Sequence, residues 1–268
     1  MNNTSINIIN QKSVREVMTV TDKQTLTPHY IRVYLTGQPD TITNIATMTV
    51  GANNKLLIPL DKTQTLDLDD QANFTKRTYT HRGVDIEKQH IWIDFVAHGD
   101  EAPASGWVTH AQVGDELGVL MNPKKKPLYP AADHFLLVGD ATAIPVLGSI
   151  LESLPDTATG QCVIEVHSKE DEQDLPTSAN IEMTWLHNSH PMQGSQLADT
   201  LKSLTLPSAE LSRFAYVAGE FSSVKAIRHY LKGEKKWSKD ELYAFSYWKA
   251  GVAEDKSASD RLAEKEAE

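Results

Sequence analysis

A single cysteine, Cys162, among 268 residues removes two classes of chemistry at once. One thiol can build neither a disulfide framework nor a cysteine-ligated iron–sulfur cluster. No apolar run reaches the roughly 18 residues of a spanning helix. Met1 to Lys12 is Asn-rich and lacks the charged start and apolar stretch of a secretory leader. The expectation is therefore a cytoplasmic chain without membrane insertion. Positive charge is also short: 26 Lys and Arg against 36 Asp and Glu give a formal net charge of −10. A duplex nucleic acid partner, which needs a basic surface, is disfavoured. Ten histidines do not replace the missing thiols as metal ligands. None shows H-x-x-x-H spacing beside an acidic ligand, and His187 and His190 lie in a Pro-, Ser- and Asn-rich stretch, so no resident metal is expected.

The length suits two domains of about 120 residues each. From residue 14 to about 120, short runs rich in Val, Ile, Thr and Tyr are punctuated by Gly, Pro, Asn and Asp, the pattern of an antiparallel barrel. The spacing predicts strands at Val14–Thr21, Tyr30–Thr36, Lys55–Pro59, Arg77–Arg82, His90–His98 and Glu116–Leu120, with a short helix near Ala104–Ala111. Asn122 to Pro130, with three prolines and three lysines, reads as a linker. The period then changes. His134–Gly139 is a short apolar strand, Thr142–Leu154 a helix and Cys162–His167 a second strand. Thr184–His187, Ser195–Leu204, Phe214–Ala218, Ser223–Leu231 and Glu241–Tyr247 continue the alternation of a parallel-sheet α/β nucleotide-binding domain. The expected boundaries are 1–127, 128–251 and a charged tail at 252–268. The tail carries six acidic and three basic residues and has little to bury, so it forms a solvated helix or stays unstructured.

Three stretches carry chemistry. In Arg77-Thr78-Tyr79-Thr80 the strand period puts Arg77 and Tyr79 on one face, where a guanidinium fork can hold a pyrophosphate and a phenol can pack on a flavin nucleotide. Thr80 adds a hydrogen bond near the ring edge. Alone, such residues are more often an ordinary β-surface. Next, Ile91 to Gly99 and Asp100 to Trp107 read as a strand, a Gly turn and a helix starting at Pro103, with amides near Ala104 and Ser105 disposed for a diphosphate. Third, Gly139-Asp140-Ala141-Thr142-Ala143, between a strand and a helix, is where a nicotinamide dinucleotide pyrophosphate would sit. It keeps only the first glycine of G-x-G-x-x-G, and Asp140 would repel a phosphate that it faced, so a plain strand–helix turn competes. Downstream, Ser168-Lys169-Glu170-Asp171-Glu172 is acidic and has no arginine for a 2′-phosphate. That favours NADH over NADPH, against the alternative of a solvated loop.

In order, R-x-Y-T and D-F-V-x-H-G-D-E-x-P-A-S-x-W resemble the siderophore-interacting protein family, the FAD-dependent ferric-siderophore reductases of the ferredoxin-reductase-like superfamily. Leu26 to Gly37, Lys55 to Pro59, Gly139 to Pro145, Ala218-Gly219-Glu220 and Tyr247 to Gly251 fall in the family's order, so the resemblance spans roughly residues 14 to 251. It implies an N-terminal antiparallel FAD-binding β-barrel followed by a parallel-sheet α/β domain for NADH or NADPH. It assigns FAD and nucleotide contacts to Arg77, Thr78, Tyr79, Thr80, Asp94, Phe95, His98, Gly99, Ala104 and Ser105, and to Asp140, Thr142, Ala143, Glu220 and Trp248. Lys55, Lys124, Lys125, Lys126 and Lys249 would line a cavity for an anionic ferric chelate. The chain departs from the family pattern at Ala141, where relatives often carry an acid, at Lys249, where an arginine is usual, and in a Lys-rich rather than Gly-Arg-Gly loop.

The implied activity is reduction of a ferric siderophore: electrons pass from NAD(P)H, or from a ferredoxin-type protein, through FAD to Fe(III), and Fe(II) is released. No side chain is needed as a proton-transfer catalyst for the iron step. Without an iron–sulfur cluster, the acceptor must approach the flavin directly. A monomer is expected. Two alternatives remain: a general NAD(P)H:flavin or ferredoxin-reductase-like oxidoreductase, and a siderophore carrier that performs no reduction.

Overall fold

The computed structural model describes residues 11–124 and 126–266; the expectations for residues 1–10 and for Lys125 lie outside them. The chain divides into two units. The first takes the described residues up to Gln24, Arg32–Asp94 and Asp100–Pro127, and the second takes Thr25–Ile31, Phe95–Gly99 and the residues from Leu128 onward.

The first unit is built on strands β1 (Val14–Thr27), β2 (Tyr30–Thr36), β3 (Asn53–Pro59), β4 (Phe74–Thr80), β5 (Gly83–Asp85), β6 (His90–Val96) and β7 (Glu116–Met121). They form one sheet in the order β4-β3-β7-β1-β2-β6-β5, with β4 and β5 as its edges. The β1–β7, β3–β7, β3–β4 and β5–β6 pairs run antiparallel. The expected barrel is thus a curled sheet. Alternation sorts its residues: Met18, Val33, Leu35, Leu56, Ile91, Ile93, Leu117 and Val119 are fully buried. Two helices accompany it, α1 (Pro39–Ile45) and α2 (Pro103–His110), each with Pro in its first turn, where the missing amide costs no hydrogen bond.

The second unit holds a parallel sheet of β8 (His134–Asp140), β9 (Thr159–Val166), β10 (Asn180–His187), β11 (Arg213–Glu220) and β12 (Leu242–Trp248) in the order β10-β9-β8-β11-β12. Helices α3 (Ile144–Ser153), α4 (Leu197–Ser203), α5 (Phe221–Arg228) and α6 (Glu254–Glu266) complete it. β8 lies at its centre, and its unbroken apolar run feeds two cores. Phe135 and Leu137 join Leu147, Ile150 and Tyr216 on one face, while Leu136 and Val138 join Val224, Ile227 and Leu231 on the other. The chain winds outward from β8 through β9 to β10, then returns to β11. The adjacent C-terminal ends of β8 and β11 are therefore a topological switch point, where open α/β sheets bind ligands.

Candidate functional site

On the edge strand β4, Arg77 and Tyr79 are half-buried, Thr78 is exposed and Thr80 is buried, so the guanidinium and the phenol share a face as the strand period requires. Arg77 Nη1 donates to the Lys76 carbonyl at 2.8 Å. Lys55, on β3 directly opposite Thr78, donates its ammonium to the Thr78 hydroxyl. In the same unit α2 begins at Pro103, and its N-cap residue, Ala102, supplies no side-chain cap. Ala104 and Ser105 in that first turn are both buried. A guanidinium, a phenol and hydroxyls along one strand are groups that suit a flavin dinucleotide, so the residues present are compatible with FAD.

Two arginines that the sequence reading missed take up the Asp94 carboxylate. Arg32 binds it in bidentate fashion, Nε to Oδ1 at 2.7 Å and Nη2 to Oδ2 at 2.8 Å, and Arg82 Nε stands 4.0 Å from Oδ2. Burial works against charge on Arg32, yet the hydrogen bonds and charge of Asp94, with Tyr34, outweigh it and hold the guanidinium above its ordinary pKa. Asp94 thus ties β2 to β6. The signal was available: a carboxylate inside Ile91-Trp92-Ile93-Asp94-Phe95 needs a partner once it is buried. Phe95 is fully buried. It groups with the second unit, as do His98 and Gly99, both exposed, Gly99 at φ 101°.

In the second unit the structure brings Asp140, Thr142, Glu220 and Trp248 together at the switch point. Asp140 does not face outward, where it would have repelled phosphate. Its Oδ1 accepts from the Thr142 amide at 2.9 Å and hydroxyl at 2.5 Å, and its Oδ2 accepts from the Glu220 amide and from Trp248 Nε1, both at 2.8 Å. Burial pushes this carboxyl up from the ordinary range, and the four bonds pull it back only in part. Gly219, at φ 151°, lets Asp140 approach: an added Cβ would lie 2.7 Å from Oδ2. Glu220 caps α5 through the Ser222 and Ser223 amides and holds the Ala250 amide at 3.2 Å. Ala143 is fully buried beneath this turn.

The acidic run after β9, read as a ribose contact or alternatively as a solvated loop, is partly buried. Asp171 is buried and accepts from Thr27, His29 and Ser168, and Glu172 meets His187 Nε2 at 2.8 Å. Of the three carboxylates only Glu170 is exposed, and hydrogen bonds from its own backbone amide and from Ser168 hold it below the usual carboxylate range. Among the lysines, Lys124 is half-buried and Lys126 exposed after β7. The Lys249 ammonium pairs with Asp260 of α6 at 2.7 Å and stands 4.8 Å from the centroid of the Phe221 ring. The tail, expected as a solvated helix or as unstructured chain, is helical from Glu254. Arg261 ties it down by donating to the Tyr247 carbonyl at 2.6 Å.

Residues 19–126 match the siderophore-interacting FAD-binding domain, and residues 132–251 match the siderophore-interacting protein domain that follows it. A ferredoxin NADP+ reductase from Neisseria gonorrhoeae, solved with bound FAD and NADP, shares the fold at TM-score 0.60 and 13% identity, over 88% of this chain and 99% of that one. An FAD-binding-domain sheet followed in one chain by a parallel α/β unit is the two-part fold that this reductase also has. Within that fold, the siderophore-interacting protein SipS from Aeromonas hydrophila superposes at TM-score 0.81 with 27% identity, covering 94% of this chain and 98% of that one. The ferric vibriobactin reductase ViuB of Vibrio cholerae is 35% identical over 179 residues, 67% of this chain and 66% of that protein's length. The chain belongs to the siderophore-interacting protein family.

Proposed function

We propose that this protein is a ferric-siderophore reductase that passes electrons from NAD(P)H through FAD to the Fe(III) complex. The observation that carries the reading is the Arg77–Thr80 strand lying inside a matched siderophore-interacting FAD-binding domain. When bound, FAD supplies a group that takes two electrons as hydride and gives them up one at a time, and reduction weakens the hard oxygen ligation of ferric iron. In this reading Arg77 neutralises the diphosphate, and the α2 amides at Ala104 and Ser105 complete the anion site. Tyr79 packs on the flavin ring, and Thr78 and Thr80 flank it with hydroxyls. The inward turn of Asp140 supports a nucleotide role for the 139–143 turn, because its charge is held away from a phosphate at the start of the following helix. Trp248, fixed through its indole N–H, closes the nicotinamide side.

Lys55, Lys124 and Lys126 are proposed to attract the anionic chelate. Lys249, in the second unit, is held by Asp260 and is left out of this proposal. The domain division at 127/128, the cytoplasmic location and the monomeric state belong to the same proposal. The visible spectrum of the purified protein, taken before and after anaerobic NADH and again after a ferric siderophore, tests it. Flavin bands should bleach with the donor and return with the chelate. A colourless protein that binds the chelate would establish a carrier instead.

A further inference from the structure

Asp171 organises a group of imidazoles that the proposed reduction does not use. Its side chain is 5% exposed. It accepts from Thr27 Oγ1 at 3.0 Å, the His29 amide at 3.0 Å, Ser168 Oγ at 2.9 Å and His29 Nδ1 at 2.9 and 3.1 Å. Burial alone would raise this carboxyl, but the bonds from His29, Ser168 and Thr27 outweigh it and hold Asp171 below the usual carboxylate range. All of these residues lie in the second unit.

With Nδ1 committed to Asp171, His29 has only Nε2 left as an external ligand atom, on a side chain that is 38% exposed. The ring of His167, at the end of β9, stands against it with centroids 4.2 Å apart and planes tilted by 41°. A carboxylate on one imidazole nitrogen, fixing the tautomer and aiming the other nitrogen outward, is how proteins orient histidine metal ligands. Asp171 itself is a poor direct ligand, because its lone pairs are already engaged. Among the described residues no three His, Cys, Asp or Glu side chains gather around one point. The protein would therefore supply two ligands and water the rest, which makes an open, exchangeable site rather than a closed structural one. Imidazole selects late first-row divalent ions over magnesium and calcium.

We propose that His29 and His167, with Asp171 as positioning residue, form a two-imidazole docking site for a divalent late first-row cation. On the reductase reading, the cation it receives is the ferrous ion freed from the reduced chelate. That assignment rests on the proposed function; the site itself does not.

Calorimetric titration of the FAD-loaded full chain with Zn2+, without donor or siderophore, tests the site. Wild type should bind one more equivalent than the His29→Gln/His167→Gln double variant. Asp171→Asn should weaken that equivalent about 10–100-fold. His167→Gln is decisive, because it leaves every Asp171 bond in place, and it should lose at least tenfold in affinity at an unchanged melting temperature. Wild-type stoichiometry and affinity in His167→Gln would overturn the site. Chelate turnover without this Zn2+ equivalent also counts against the site and leaves the reductase reading standing; Zn2+ binding without turnover does the reverse.

Discussion

Replacing Asp140 by Asn keeps the shape of the side chain and changes two of its four bonds. Oriented to keep accepting from the Thr142 amide and hydroxyl, the Asn amide nitrogen would face the Glu220 N–H and the Trp248 indole N–H, two donors 2.8 Å from the atom it replaces. Each lost bond to a charged acceptor is worth about 1.5–3 kcal/mol, and both donors are left without an acceptor. Removing a buried charge offsets part of that loss, and we take a net cost of about 2–4 kcal/mol. At roughly 2–4 °C per kcal/mol for a unit of this size, the melting temperature should fall by roughly 4–16 °C.

The pH dependence carries a sign that checks the argument independently. The folded pKa of Asp140 lies above its unfolded value, so its linked stability is fully present below the ordinary carboxylate pKa and is lost as pH rises through the folded one. D140N lacks this loss. The gap between wild type and D140N should therefore be widest in acid and narrow toward neutral pH. Thermal unfolding of wild type, D140N, Trp248→Phe and the double variant, each from pH 4 to 7, supplies both the magnitude and the coupling between the two positions. A D140N melting temperature within a degree of wild type, or strict additivity with Trp248→Phe, would refute the reasoning.

Arg77→Ala should fold normally and bind FAD about one to two decades more weakly, for a lost contact of ~1.5–3 kcal/mol, measured by flavin fluorescence; stoichiometric FAD after purification would rule out the diphosphate role. His81 is buried, and desolvation lowers its pKa to about 4. Its neutral form therefore contributes stability that is present above the unfolded value near 6.5 and lost as pH falls toward 4, a change of about 3 kcal/mol; His81→Leu should flatten the melting curve against pH over that window. Ala at Lys55, Lys124 and Lys126 together should weaken an anionic ferric catecholate in a salt-dependent way and spare FAD content and a neutral ferric hydroxamate, and unchanged catecholate affinity would make these lysines plain surface charges. Stopped-flow reduction should be faster with NADH than with NADPH, because residues 168–172 hold no arginine for a 2′-phosphate; a reversed preference would show that the donor's phosphate is read elsewhere.

How far the sequence could be read followed how local the causes were. Tyr30–Thr36 was legible to the residue, since Pro28 and Gly37 bracket a clean period-2 run. β1 extends from the expected Thr21 to Thr27, because its polar Asp22-Lys23-Gln24 reads as a turn but stays within the ladder. Helix α1 went unseen: Thr41, Ile42, Thr43 and Ile45 are β-branched and suggest a strand, and what makes them helical is the burial of Ile42 and Ile45 on one side. The grouping of Asp140, Thr142, Glu220 and Trp248 was legible from motif order. The orientation of Asp140 was not, since it depends on donors 80 and 108 residues away. Arg32, Arg82, His29 and His167 likewise owe their roles to partners distant in sequence.

The hairpin tip Thr25–Ile31 comes from the N-terminal strands yet belongs to the second unit, where Tyr30 is buried among Phe135, Leu147 and Tyr216 and Thr27 is held by Asp171. During synthesis the ribosome must therefore extend the chain 144 residues beyond Thr27 before that bond can form. The tip waits in a nascent chain whose own sheet is otherwise nearly contiguous. A fragment beginning at Leu128 would expose the apolar surface that Tyr30, Leu26 and Val96 cover, and would aggregate or need a chaperone. The second unit is thus a late-folding unit that depends on residues made first, and its assembly is the step at which a truncated transcript or a stalled ribosome would leave the whole molecule unfinished.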